Sequence, residues 1–106
     1  MSRLSSETVS AGLRAAIRLR EGHLPAEADL QAAPLLSGWA LVAEPPSFHR
    51  LVGVVSGHPI IADGWCTTSV VLVIDPQRQW ARTISRLYRL KQPLEDSKRA
   101  TESIAF

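Results

Sequence analysis

Between Arg78 and Lys91 the chain interleaves basic side chains, Arg78, Arg82, Arg86, Arg89 and Lys91, with two aromatic rings, Trp80 and Tyr88. A guanidinium fork grips phosphate or carboxylate through two hydrogen bonds and also stacks on aromatic faces. Read as a strand, this segment places Trp80, Arg82 and Ile84 on one face, because successive side chains alternate. Aromatic platforms alternating with cations are how single-stranded nucleic acid is often held. The same surface suits an acidic protein. The plain alternative is a hairpin with Trp80 and Tyr88 buried and a solvated arginine face paired with Glu27, Asp29 and Glu44. The candidate binding set is Arg78, Trp80, Arg82, Arg86, Tyr88, Arg89 and Lys91, joined by Arg50 and His58 from the same basic half of the chain.

A catalytic reading is thinner. His58 and Asp63 lie on one loop and are of the right types for an acid–base pair, with Ser69 or Cys66 as the nucleophile. Such chemistry needs the nucleophile within hydrogen-bond reach of its base and a third group to orient the base. No nucleophile elbow surrounds Ser69, and Cys66 sits in an apolar stretch with no charged neighbour in sequence. Asp63-Gly64 and Gly57-His58-Pro59 read as turn chemistry, with His58 bonding a backbone carbonyl. The possible metal ligands His23, His49, His58, Asp63 and Cys66 include no His pair four apart and no paired cysteines, so no metal is expected. The six glycines are scattered and form no phosphate-binding loop, and no cofactor is expected.

These residues must be positioned by a small chain of 106 residues with 45% hydrophobic content. That length is one domain, able to bury roughly two-thirds of its unfolded surface without metal or disulfide. A lone Cys66 forms no intrachain bridge. The longest apolar run, Val70–Ile74, is far shorter than a membrane helix requires. The start, Met-Ser-Arg-Leu-Ser-Ser-Glu, lacks the apolar stretch of a signal peptide, so a cytoplasmic protein with no membrane partner is expected. Net charge is only +2, but it is unevenly spread. Residues 25–48 carry Glu27, Asp29 and Glu44 with no base, whereas residues 49–92 carry six bases against Asp63 and Asp75. Such clustering points to an anionic partner.

The elements follow from pattern. Ser5 or Ser6 caps a helix whose apolar positions Val9, Leu13, Ala16 and Ile17 recur at helical spacing, and Gly22 supplies a left-handed end before Pro25. Gly12 weakens that helix by about 1 kcal/mol relative to Ala. A basic helix of this kind could lie on a membrane or an acidic partner, but its apolar face is narrow, and a solvated cover over a sheet is the expected role. Residues 25–33 predict a short second helix that Pro34 must end. Ser37-Gly38 marks a break before a strand at 39–42; Leu51–Val55 and Trp65–Ile74 predict two more strands. Asp75-Pro76-Gln77-Arg78 is a turn. Residues 80–90 fit either a helix or a hairpin turning at Ser85-Arg86, and the hairpin is preferred for the reason that follows.

The stretch Val52–Leu90 carries Gly53, Val55, Gly57, His58, Pro59, Asp63 and Gly64, then Thr68-Ser69, then Arg82, Thr83, Ser85, Tyr88, Arg89 and Leu90. These positions spell G-x-V-x-G-H-P-x-x-x-D-G, T-S and R-T-x-S-x-x-Y-R-L. They resemble a group of short uncharacterised bacterial proteins also carried by phages and plasmids, over about 39 of the 106 residues. The resemblance implies a compact β-meander similar to an SH3-like barrel, with a hairpin tip after R-T-x-S; Arg86 stands where such relatives often look like glycine. It implies no chemistry.

The expected architecture is α+β: two N-terminal helices over residues 5–34, packed on a small antiparallel β-meander over 39–91, in one domain spanning 1–92. Residues 93–106 are expected to be a flexible tail. Core candidates are Val9, Leu13, Ile17, Leu30, Leu36, Trp39, Leu41, Val52, Val54, Val71, Val73, Ile84 and Tyr88. The expected function is a non-catalytic binding or regulatory module whose basic face meets an anionic macromolecule. One form is a mobile-element effector that blocks a host defence complex, in the manner of an anti-CRISPR protein, by protein–protein binding. The alternative is a nucleic-acid-binding accessory protein, followed by a small enzyme using His58 and Asp63. A homodimer formed by pairing of an exposed strand edge is a further expectation.

Overall fold

A computed structural model describes residues 5–45 and 47–94. Helix α1 spans Ser6–Arg20, and Ser5 caps it by accepting from the Thr8 amide at 3.0 Å. Glu7 lies at its positive end, and Arg18 and Arg20 at its negative end, as the helix dipole favours. Its C-terminus closes with two reverse bonds, Gly22 N to Leu19 O and His23 N to Arg18 O, each 3.1 Å. Gly22 adopts φ +99°, the left-handed conformation that this cap needs and glycine accepts without strain. Helix α2, Glu27–Ala32, stops where Ala33 turns extended ahead of Pro34.

Five strands follow: β1 (Leu35–Glu44), β2 (Phe48–Ser56), β3 (Gly64–Ile74), β4 (Trp80–Thr83) and β5 (Leu87–Leu90). They close into a barrel in chain order, antiparallel at every junction except β1 with β5, which is parallel. Parity requires this, because in an up-and-down meander with an odd number of strands the first and last run the same way. The architecture is α+β with both helices N-terminal, and it is compatible with the SH3-like barrel implied by the resemblance. Residues 80–90 form the hairpin rather than the helix.

Two apolar layers hold the molecule. Inside the barrel lie Leu36, Trp39, Leu51, Val55, Cys66, Val71, Ile74, Ala81, Tyr88 and Leu90. Outside it, beneath the helices, Ala16, Val73 and Trp80 pack with Leu19, Leu30, Leu72 and Leu87. The break read at Ser37-Gly38 is a bulge inside β1, so that strand begins four residues earlier than the pattern indicated. With Gly38 at φ +55°, Leu36 and Trp39 both turn inward although they are three apart. Gly53 faces this bulge from β2; a Cβ there would stand 3.0 Å from Ser37 O and 3.1 Å from Trp39 Cα.

Three core expectations fail. Val54 is 47% exposed because Leu51, Gly53 and Val55 are the inward residues of β2; with valines on both faces, that stretch carried no alternation to fix its phase. Leu13 and Ile17 are largely exposed because α1 docks through its small residues, Gly12 and Ala16. The reason is proximity: a Cβ on Gly12 would come within 2.2 Å of Ile84 O at the tip of the β4–β5 hairpin.

Residues 93 and 94, which the sequence assigns to the tail, are tied to β1. The Leu94 amide donates to Trp39 O at 2.8 Å and Pro93 bridges to Trp39, while residues 95–106 lie outside the described residues. Among the described residues no helix is long and apolar enough to cross a membrane.

Candidate anion-binding cleft

The close approach of α1 to the hairpin tip creates a cleft of about 620 Å³ between α1, α2 and β4–β5. Arg18 and His23 line it from the end of α1, Asp29 from α2, and Arg82, Ser85 and Arg86 from the hairpin. Its apolar walls include Leu19, Leu24, Pro25, Pro34 and Leu87.

The hairpin tip is fixed by its own hydroxyls. Thr83, fully buried, donates from Oγ1 to Arg86 O at 3.1 Å and accepts from the Arg86 amide at 3.3 Å. Ser69 of β3 shares a 2.8 Å hydroxyl contact with Ser85 and accepts from the Ser85 amide at 3.2 Å. The Ile84 amide donates to Val70 O at 3.0 Å. Arg82 and Arg86 therefore leave a rigid turn.

Arg82 is the exception to this internal satisfaction. It is half-buried, and its Nε is shut off from solvent with no hydrogen-bond partner among the described residues. Its Nη2 reaches only Ile84 O, at 3.5 Å, a weak contact. Burial pushes its pKa below the ordinary arginine value, and the neighbouring Arg86 charge pushes it the same way. Among the described residues neither Arg18, Arg82 nor Arg86 has a carboxylate partner; the ion pair found there joins Arg50 to Glu44.

The structure disperses the rest of the expected set. Trp80 is 8% exposed under α1 and Tyr88 3% exposed in the barrel, so neither offers a stacking face. The reason lies in register: β4 is only four residues long and buried on both sides, barrel and helix. Arg89 is a structural clamp, donating from Nε to Ala33 O at 3.2 Å. Lys91 is exposed, and its carbonyl accepts from Trp39 Nε1 at 3.0 Å. Arg78 holds the Asp75–Gln79 turn at φ +59°, with its Nη1 buried and unpartnered among the described residues. Arg50 lies on β2, where besides Glu44 it bonds Thr68 O at 3.1 Å.

His58 and Asp63 each serve their own loop. His58 Nδ1 does not bond a carbonyl as expected but accepts from the Ile60 and Ile61 amides at 3.0 and 3.3 Å, because the turn after Pro59 aims these two N–H groups back at the ring. Asp63 Oδ1 accepts from the Gly57 amide at 3.1 Å. The His58 ring tilts against Tyr88, centroids 6.2 Å apart. Burial first, then the Arg86 charge, lowers the His58 pKa below its ordinary 6.5. Burial raises the Cys66 thiol, which disfavours the thiolate that nucleophilic chemistry needs. No cluster of three or more His, Cys, Asp or Glu side chains that could hold a metal occurs among the described residues.

The sequence pointed to Arg82 and Arg86 and offered Asp29 as a counter-charge, but it did not bring Arg18, His23 and Ser85 to them in the cleft. The one signal for them was Gly12: a glycine within a helix marks a close approach, here onto the hairpin.

A family model matches residues 5–104. The chain belongs to the family of unknown function DUF6634. No curated protein and no solved structure matches it. The match covers both helices and all five strands, so the cleft of this DUF6634 chain lies wholly within the family region.

Proposed function

We propose that this DUF6634 protein is a non-catalytic binding module of SH3-like build that docks onto an acidic partner protein through the helix–hairpin cleft. The observation that carries the reading is Arg82: a half-buried guanidinium beside Arg86, in a concave site, without a carboxylate of its own. Folded proteins satisfy such groups internally unless a ligand, ion or water completes them. Regulatory use as an effector that occupies an acidic surface of a host complex follows the same logic. Burial of Trp80 and Tyr88 favours a protein over single-stranded nucleic acid, because stacking platforms are what strand binding needs beyond charge.

The test is fluorescence anisotropy with a labelled Asp/Glu-rich peptide and with labelled single-stranded DNA and RNA, at about 50 and 200 mM salt. Peptide binding that weakens with salt and disappears in Arg82→Ala/Arg86→Ala supports the proposal. Tighter binding of DNA or RNA that depends on the same arginines replaces it with the nucleic-acid reading. Binding of neither, or binding indifferent to both substitutions, overturns it.

A further inference from the structure

The charge and walls of the cleft define its ligand more narrowly than an acidic surface. Three guanidiniums, from Arg18, Arg82 and Arg86, face one carboxylate, Asp29, which leaves a formal excess of +2 with His23 neutral. One partner carboxylate would cancel half of that excess. A phosphate monoester carries about −1.5 to −2 at neutral pH and presents three acceptor oxygens. Arginine forks match those oxygens bidentately, two bonds to each guanidinium. Beside the cations lie the apolar surfaces of Leu19, Leu24, Pro25 and Leu87. A volume of about 620 Å³ holds an organic body as well as a phosphoryl group, and it is the size of ordinary small-ligand sites.

We infer that the cleft is a phosphate-monoester site, with the phosphoryl group between Arg82 and Arg86, Arg18 closing over it, and the organic portion against the walls of Leu19, Leu24 and Leu87. The inference rests on the reading of the cleft as an anion site but names a dianion as its ligand. Two sources present this chemistry, a phosphorylated side chain of a partner and a free mononucleotide. Rigidity of the Thr83–Arg86 tip supports it, since the backbone from which both arginines project is held in place before the ligand arrives. Uncompensated charge supports it again, because the Arg82–Arg86 repulsion is relieved when a dianion enters.

Isothermal titration calorimetry on the full chain tests the inference with five probes: adenosine 5′-monophosphate, adenosine, inorganic phosphate, a phosphoserine peptide and its unphosphorylated counterpart. The expected result is that each monoester binds at least tenfold more tightly than its phosphate-free counterpart, and more tightly than inorganic phosphate, a difference of about 1.4 kcal/mol or more. Arg82→Met and Arg18→Ala each lose about tenfold or more of that affinity, while Arg82→Lys, which keeps the charge but not the fork, falls between. Arg18 is exposed on α1, so its substitution leaves the fold intact and keeps the test valid if Arg82→Met unfolds. Preference for the phosphopeptide assigns the site to a phosphorylated partner, and preference for the nucleotide assigns it to a free metabolite; both uphold the inference. Equal binding with and without phosphate, or binding unchanged in Arg18→Ala and Arg82→Lys, overturns it. If the Asp/Glu-rich peptide binds through Arg82 and the monoesters do not, the dianion inference falls and the docking module stands. If none of them binds, both fall.

Discussion

Arg82 costs the fold something. A buried donor without a partner carries a desolvation penalty of about 1–3 kcal/mol, larger for charged groups, discounted here because the side chain is only half-buried. Replacing it with an apolar residue of similar length removes that cost. Arg82→Met is therefore expected to keep or raise stability, by up to about 1 kcal/mol in urea unfolding, while abolishing anion binding. A residue kept for packing alone would lose stability instead. His58 gives a pH dependence with a definite sign. Its folded pKa lies below 6.5, so the unfolded chain binds the proton more readily, and stability is complete above 6.5 and lost as pH falls through the folded value. Protonation also turns the Nδ1 acceptor of the Ile60 and Ile61 amides into a donor. Urea midpoints should fall between pH 7.5 and about 5, and fall less in His58→Asn, which keeps an acceptor but does not titrate there. At this scale the sequence was readable where chemistry is local: the turn roles of His58 and Asp63 followed from residue type and spacing. Exposure of Trp80 was not, because it depends on a helix 60 residues away in the chain covering a strand of four.

Gly12 links two elements. In an isolated helix Gly12→Ala would gain about 1 kcal/mol from propensity. Here the added methyl meets Ile84 O at 2.2 Å, backbone that cannot swing aside, and overpacking of this kind costs about 1–3 kcal/mol. The variant should be less stable than the parent in urea unfolding and should bind anions more weakly, because pushing α1 outward separates Arg18 from Arg82. Thr83→Val probes the other wall. It removes the hydroxyl that both accepts from and donates to the Arg86 backbone in a fully buried setting, for a loss of about 1–3 kcal/mol. The hairpin was told from a helix only by the resemblance, whereas both helices could be read from the chain because their signals are punctuation: Ser5, Gly22 and Pro34. The β1 bulge could not. Ser-Gly looks the same whether a strand ends or merely kinks, and only the clearance at Gly53 tells the two apart.

The whole molecule is asymmetric in its covering. Helices shield β4, β5 and the Leu72–Val73 end of β3, while the outer face of β1, β2 and the Trp65 end of β3 is left bare, with Val42, Phe48, Val54 and Trp65 each exposed by 47% or more. Val54 and Trp65 are cross-strand partners. Trp65 should account for nearly all acrylamide quenching of the tryptophan emission, since Trp39 and Trp80 are buried, and Trp65→Phe should leave a spectrum that acrylamide scarcely alters. Fold class was legible because the helical segments precede an uninterrupted run of β-branched strands; closure into a barrel came only from the resemblance, since no local pattern announces which strand will meet the first. That closure governs how the chain can be made. The parallel junction joins the first strand to the last, and the Trp39 indole and carbonyl are taken up by Lys91 and Leu94. On the ribosome, then, β1 leaves the exit tunnel with an unpaired edge and waits for the synthesis of more than 50 further residues, while α1 has neither β3 nor β4 to rest on. The nascent chain therefore cannot complete the barrel until residue 94 is free, and non-local closure of this kind is intrinsically slow.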